Sequence, residues 1–115
     1  MESENIIEAY ITSTMTIKNY TAYEITIVTN IKNLNNHYSI TKRYSDFYKM
    51  HCIIKNEIFE LPIFPKKVFN KMKNEIIQER ACKLNFYIKY LCMLITKKEI
   101  NEKCKEIIIN FLKKE

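Results

Sequence analysis

The sequence predicts an α+β fold in which a three-stranded antiparallel β-meander packs against a helical subdomain. Residues 6–29 are rich in Ile, Thr, Tyr and Val and alternate between apolar and polar positions, which is typical of strands. From Ser45 onward the apolar residues recur at helical spacing instead. With 115 residues, 47% of them hydrophobic, the chain is expected to form a single domain over residues 1–115 with its own core.

Two turns are expected to join the three strands. Lys18-Asn19 would connect the first two, and the third strand would cover residues 37–44 with Tyr38 and Ile40 on its inner face. The chain has no glycine, so turns that need a positive φ are expected to use asparagine, which clusters where the second turn would fall. These asparagines are Asn33, Asn35 and Asn36.

Three helices are expected after the sheet. The first would cover residues 45 to about 58, with Ser45 or Asp46 as its cap. The second would cover residues 71 to about 95, and the third would begin at about Lys98. The longest of the three, the second, is expected to be the main support of the fold.

A proline-containing loop separates the first two helices. Pro62 and Pro65 each fix φ and lack a backbone donor, which predicts an extended, polyproline-like segment. Pro62-x-x-Pro65-x-Lys67 also has the general form of an SH3 ligand. The apolar neighbours of the prolines argue for partial burial of this segment, so that role is a minor alternative.

The charge indicates the class of partner. A net charge of +6 and a pI near 9.1 favour anionic partners, which include nucleic acid, an anionic membrane and acidic proteins. The acidic start Met1-Glu2-Ser3-Glu4 is unlike a signal peptide, and no apolar run reaches the ~20 residues of a membrane-spanning helix. We therefore expect a cytoplasmic protein whose membrane contact is peripheral.

The sequence offers no catalytic or metal site. His37 and His51 lie far apart, and a phosphate loop of the glycine-rich kind cannot form without glycine, so no enzyme and no cofactor are expected. The cysteine spacing matches no zinc pattern, and reduced, buried thiols are expected. The four cysteines are Cys52, Cys82, Cys92 and Cys104.

The two arginines are the candidate binding residues, since the other 17 of the 19 basic residues are lysines. Arg43 stands between a strand and a helix, where its planar guanidinium is suited to a phosphate or a pair of hydroxyls, and Tyr44 beside it offers a flat face to a ring. The alternative is a solvated strand end. Arg80 falls in an apolar stripe, where it would either pair with an acid such as Glu57 or line a pocket.

Four segments resemble the phosphoinositide-binding Phox-homology (PX) domain family in order, content and spacing, and the resemblance extends over residues 6–112. The segments are Arg43-Tyr44-Ser45-Asp46-Phe47, Leu61-Pro62-Ile63-Phe64-Pro65-Lys66-Lys67, Ile77-Gln78-Glu79-Arg80 and Leu84-Asn85-Phe86-Tyr87-Ile88. The resemblance implies the PX fold. It also implies that Arg43 holds the 3-phosphate, that Tyr44 packs beneath the inositol ring and that Arg80 contacts the 4- and 5-hydroxyls.

The same resemblance assigns the 1-phosphate to a lysine after the proline loop, with Lys67 fitting best and Lys66 as the fallback. It makes the next segment a membrane-insertion loop, with Val68, Phe69 and Met72 as its apolar residues and lysines between them. The alternative is that Val68 and Phe69 cover the core beneath the loop.

The function implied is a module that binds phosphatidylinositol 3-phosphate and attaches to endosome-like membranes in protein sorting and vesicle trafficking. The alternative is a PX-fold domain that binds a trafficking protein and has weak or non-selective lipid binding. Nucleic acid is not an expected partner, because the tyrosines do not alternate with cations on one face.

Overall fold

The computed structural model describes residues 5–67 and 73–114 and confirms the α+β prediction. Three strands are followed by three helices. In chain order these are β1 Ile7–Ile17, β2 Tyr20–Thr29, β3 His37–Arg43, α1 Tyr44–Ile54, α2 Asn74–Thr96 and α3 Glu102–Leu112. One cluster of buried residues, to which the sheet and all three helices contribute, forms the core.

The sheet is an antiparallel meander with β2 at its centre. Its register pairs Ala22 with Arg43 and Ile25 with Ile40, so the end of β3 lies beside the start of β2. Tyr38 and Ile40 are buried on the inner face, as predicted. The register brings Arg43 next to the β1–β2 hairpin, which positions one wall of the site described below.

The left-handed turn residues are only partly as expected. Asn33 has a φ of 74°, but lysines take the other two such positions among the described residues, with φ of 53° at Lys18 and 59° at Lys98. Lys18-Asn19 does join β1 to β2. The expectation that asparagine serves every such turn was wrong, because hairpin and helix-end geometry impose the left-handed conformation on whichever residue occupies the position.

Helix α1 begins one residue earlier than predicted. Arg43 is its N-cap, and its backbone N–H donates to Asp46 Oδ2 at 2.9 Å. An arginine side chain cannot accept a hydrogen bond, so only this half of a capping box is possible. Neither Ser45 nor Asp46 is the cap. The helix ends at Ile54 and not near residue 58 as predicted. A turn follows it, in which the Ile58 N–H donates to the Ile54 carbonyl at 3.0 Å.

Helix α2 ends in a Schellman motif, in which Glu99 N–H donates to the Leu94 carbonyl at 2.9 Å and Lys98 N–H to the Ile95 carbonyl at 3.1 Å. Helix α3 starts later than predicted, at Glu102, because Lys98 is left-handed and ends the preceding helix. Asn101 caps α3 by accepting from Cys104 N–H at 2.8 Å.

Side chains of α2 cover the outer edge of β1. Asn85 Oδ1 accepts from Ile11 N–H at 2.8 Å, while the Thr96 hydroxyl accepts from Ile7 N–H at 3.2 Å and donates to the Ile7 carbonyl at 3.3 Å. An edge strand normally exposes such groups to other chains. Here the helix satisfies them, and α2 is held along β1.

The proline loop packs on an aromatic cluster. Phe64 stacks on His51, with ring centres 4.3 Å apart, and meets Tyr87 edge to face at 5.1 Å. Pro65 is buried, and its carbonyl accepts from the Tyr44 hydroxyl at 2.6 Å. This burial contradicts the SH3-ligand alternative, since that motif must be free to dock on a partner.

The thiols are free but not all buried. Cys92 and Cys104 are buried, whereas Cys82 is exposed and Cys52 is half-buried, so the expectation of buried thiols holds for two of the four. No group of metal-ligating side chains occurs in the described ranges. None of the helices described is both long and apolar enough to cross a bilayer.

Candidate functional site

A cavity of about 310 Å³ opens where the β1–β2 hairpin, the start of α1, the end of the proline loop and the first turns of α2 meet. Four of its lining residues are the candidates from the sequence, and four others complete the wall. The lining consists of Tyr20, Thr21, Tyr23, Arg43, Tyr44, Ser45, Lys67 and Arg80.

Arg43 forms the outer cationic side of the cavity. It is exposed, at the end of β3, and its guanidinium carbon lies 3.9 Å from the centre of the Tyr20 ring. A guanidinium stacked in this way keeps its in-plane N–H groups free for a ligand. The contact therefore orients Arg43 without using its donors.

Arg80 forms the inner cationic side and is only 8% exposed. Its guanidinium carbon lies 4.0 Å from the centre of the Tyr44 ring, and Nη2 donates to the Lys66 carbonyl at 3.2 Å. Its Nε is buried without a hydrogen-bond partner, as is Thr21 Oγ1 in the same wall. The buried Arg80 charge therefore has one unsatisfied donor, and an unpaired hydroxyl lies in the same wall.

No carboxylate lies within ion-pair distance of Arg80 in the part of the chain that the structure describes. The acid considered from the sequence, Glu57, instead lies 3.6 Å from Lys103. Burial raises the pKa of Tyr23 and of Tyr44, with the Arg80 charge acting in the opposite direction in both cases. Both phenols are therefore neutral near pH 7, and neither supplies a counter-charge to Arg80.

The two loop lysines lie in different places. Lys67 lines the cavity and has its Nζ 4.6 Å from the centre of the Tyr48 ring. Lys66 lines a second hollow of about 300 Å³, which adjoins the cavity at Arg80, and its carbonyl oxygen accepts the hydrogen bond from Arg80. The geometry thus favours Lys67 over Lys66 as a residue that can reach a ligand in the cavity.

The cavity combines three cationic side chains with no acidic one among the described residues that line it. Two of the cations, Arg43 and Arg80, are fork-shaped donors, and an aromatic ring supports each of them. Such a lining suits an anion with more than one charged or hydroxyl group, bound by charge-assisted hydrogen bonds.

Sequence reasoning missed four wall residues, Tyr20, Thr21, Tyr23 and Ser45. Tyr20, Thr21 and Tyr23 join the wall because the strand register places the start of β2 beside Arg43, whereas Ser45 follows Tyr44 in the first turn of α1. The signal available was the predicted two-residue hairpin, which puts Tyr20 directly after the turn. The candidates Val68, Phe69 and Met72 lie outside the described residues.

Comparison with known proteins identifies a family and a fold for this chain. A family model described as PX domain matches residues 31–115. A designed CISK-PX domain, solved by X-ray crystallography, is similar with a TM-score of 0.67 and 19% identity over 91% of this chain and 97% of that one. The mouse SNX19 PX domain, crystallised with a bound sulphate ion, has a TM-score of 0.64 and 21% identity over 91% and 97% of the two chains.

Proposed function

Since the chain belongs to the PX family, whose members are phosphoinositide-binding modules of membrane trafficking, we propose that it recognises phosphatidylinositol 3-phosphate. It would thereby attach itself, or a longer protein that contains it, to endosome-like membranes as a single lipid-binding domain. The observation that carries this proposal is the meeting of the only two arginines, Arg43 and Arg80, in one cavity.

The burial of Arg80 supports an anionic ligand. A buried cation is costly unless a counter-charge and hydrogen bonds satisfy it, and Arg80 has neither a carboxylate partner nor a hydrogen-bond partner for its Nε among the described residues. A phosphorylated headgroup would supply negative charge on the side where a carboxylate is missing. This need explains why an arginine stands within an otherwise apolar helix stripe.

Each cationic residue has a role in the proposal. Arg43 holds the 3-phosphate bidentately, because it is exposed, planar and oriented by Tyr20. Lys67 meets the 1-phosphate as a point charge at the mouth of the cavity. Arg80 donates to the 4- and 5-hydroxyls, and Tyr44 forms the floor that carries both Arg80 and the inositol ring.

The size of the cavity fits a headgroup rather than a whole lipid. Its volume of about 310 Å³ is at the lower end of the range of about 300–1,000 Å³ that is usual for ligand pockets. The acyl chains would remain in the bilayer. Phosphates at positions 4 or 5 would take the space of hydroxyls held by Arg80, so those lipids should bind less well.

Vesicle sedimentation across a phosphoinositide panel tests the proposal. Vesicles with phosphatidylinositol 3-phosphate should bind more tightly than vesicles of equal total charge that carry 4- or 5-phosphorylated lipids. Equal binding to every bisphosphate, following charge alone, would indicate a non-selective basic surface. That result would favour the alternative, a PX-fold domain that serves a trafficking protein with weak lipid selectivity.

The proposal includes a membrane-insertion loop at residues 68–72. Phe69 and Met72 would enter the bilayer, because insertion removes their apolar side chains from water. A soluble headgroup cannot provide this burial. Replacing both with Ser should weaken vesicle binding and leave the affinity for soluble inositol 1,3-bisphosphate unchanged. A parallel loss in both assays would show that these residues support the cavity instead.

A further inference from the structure

A second concave surface lies along the outer side of α2. It consists of two adjoining hollows of about 440 and 420 Å³, which share Lys89 and Met93, and we refer to it as the α2 groove. Residues 7–10 of β1 form one side of it. The principal residues along it are Cys82, Phe86, Lys89 and Met93 of α2 and Lys97, the C-cap of that helix.

The floor of the α2 groove is apolar and open to solvent. Phe86 is 64% exposed and Tyr10 is 38% exposed, and Met93 lies half-buried between them along the groove. Single exposed apolar residues are common, but a row of them along a concave surface is typical of a site that docks a partner. The positions 82, 86, 89, 93 and 97 follow one face of the helix.

The charges of the α2 groove indicate the sign of that partner. Lys89 and Lys97 are exposed along the apolar floor, and neither makes an ion pair within the described ranges. Glu8 is the one acid among the described residues that line the groove. A second copy of this chain would bring like charges together, because the chain carries a net charge of +6.

The backbone of β1 restricts how a partner can bind. Its edge groups at Ile7 and Ile11 are already bonded to Thr96 and Asn85, so a peptide cannot add as a further strand there. Side chains must carry the contact. The stretch from Cys82 to Lys97 extends for about 22 Å, the length of about four turns of helix.

We propose that the α2 groove docks an acidic amphipathic helix of a partner protein. The apolar face of that helix packs on Phe86 and Met93, and its flanking carboxylates meet Lys89 and Lys97. No described residue lines both the cavity and the groove, and Met93 is about 20 Å along α2 from Arg80. The two surfaces are therefore distinct, and a membrane held at the cavity leaves the Met93 end of the groove free for a protein.

A display library of amphipathic helices of about 15 residues, selected on the intact chain, tests this proposal. Every member of the library has the same apolar face, and the residues that flank this face vary from acidic to basic. Members that also bind a Phe86→Ser/Met93→Ser variant are removed by counter-selection. Acidic members should be enriched, and their affinity should fall at least tenfold on that variant. Lys89→Glu/Lys97→Glu should reverse the preference towards basic members.

Controls separate docking from other effects. Phe59→Ser/Ile63→Ser removes two exposed apolar residues outside the groove and should leave peptide affinity unchanged. Circular dichroism melts verify that every variant is folded. Absence of enrichment, enrichment without regard to charge, or undiminished binding by the Phe86/Met93 variant would overturn the proposal. The proposal would also be overturned if the Phe86→Ser/Met93→Ser variant bound phosphatidylserine vesicles less tightly than the parent protein. That result would show that the α2 groove contacts membrane.

Discussion

The Arg43 guanidinium stacks on Tyr20, with 3.9 Å between the guanidinium carbon and the ring centre. The two residues come from different strands, and the pairing of Ala22 with Arg43 brings them together. Because the ring supports the flat face of the guanidinium, the N–H groups at its edge stay available to a ligand. Tyr20 is thus a positioning residue for the proposed phosphate contact.

Replacing Tyr20 should weaken headgroup binding through Arg43. Tyr20→Leu removes a cation–π contact worth about 0.5–2 kcal/mol, so affinity for soluble inositol 1,3-bisphosphate should fall by roughly 2- to 30-fold. Tyr20→Phe keeps the ring and should retain most of the affinity. Isothermal titration calorimetry measures both. An equal loss in the two variants would show that the hydroxyl, and not the stacked ring, matters.

Arg43→Gln should abolish selective lipid binding in a folded protein. Hydrogen bonds to charged groups contribute about 1.5–3 kcal/mol, so vesicle binding should fall at least tenfold. Lys42→Gln is the matched control, because it removes one positive charge from the neighbouring residue. The Lys42 side chain lies over Phe111 and does not line the cavity. Similar losses in both variants would mean that only total charge matters.

Arg80→Met should separate binding from stability. It removes a buried cation that lacks a carboxylate partner among the described residues and keeps a shorter, unbranched apolar chain in the stripe. We expect the free energy of unfolding in urea to be within about 1 kcal/mol of the parent or higher, with headgroup binding lost. A large drop in stability would show that the contacts to Tyr44 and Lys66 outweigh the cost of burying the charge.

Lys98→Gly should stabilise the protein. Lys98 holds the left-handed position that ends α2, with a φ of 59°, and a side chain there costs about 1 kcal/mol relative to glycine. We expect a gain of that order in urea unfolding. Lys97→Gly is the control, because Lys97 has a φ of −83° and should lose stability when replaced. A loss in both variants would contradict the left-handed assignment.

The free energy of unfolding should decrease as the pH is lowered, because His51 is neutral in the folded protein. Burial, with the nearby Lys55 charge, lowers the pKa of His51 below its ordinary value of 6.5. The neutral form is therefore favoured in the folded state, stacked on Phe64 and bonded to Tyr87 at 2.7 Å. Its contribution is complete above about pH 6.5 and is lost as the pH falls through the folded pKa.

Urea unfolding between about pH 7.5 and about pH 5 measures this effect. His51→Gln should reduce the loss of stability over that interval. An unchanged slope in the His51 variant would assign the pH dependence to other groups.

Much of the fold could be predicted because its signals are local. Alternation marks the strands, helical spacing marks the helices, and Pro62 and Pro65 mark the loop between them. Helix ends were less predictable. Nothing in the sequence around Arg43 indicates that it is the cap of α1, since the preferred capping residues stand directly after it and the chain's path out of β3 decides the start.

The part of the candidate site that could be predicted is the part that matches the sequence motifs of the family. The resemblance selected Arg43, Tyr44, Lys67 and Arg80, and the fold brings all four to one cavity. Tyr20, Thr21 and Tyr23 join the wall through the pairing of β2 with β3, and the turn between these two strands is too long and irregular for the sequence to fix that register. The choice between pairing Arg80 with Glu57 and leaving it in a pocket also needed the tertiary structure, because Lys103 comes from a distant helix.

The hydrogen bond from Arg80 to the Lys66 carbonyl limits how the headgroup preference of this domain can evolve or be redesigned. One side chain both lines the cavity and ties down the loop that carries Lys67. Under the proposed roles, a substitution at Arg80 that admits a different lipid also releases that tether. The side chain of Arg43 contacts Tyr20 rather than the loop, so a substitution there changes the proposed phosphate contact and leaves the tether in place.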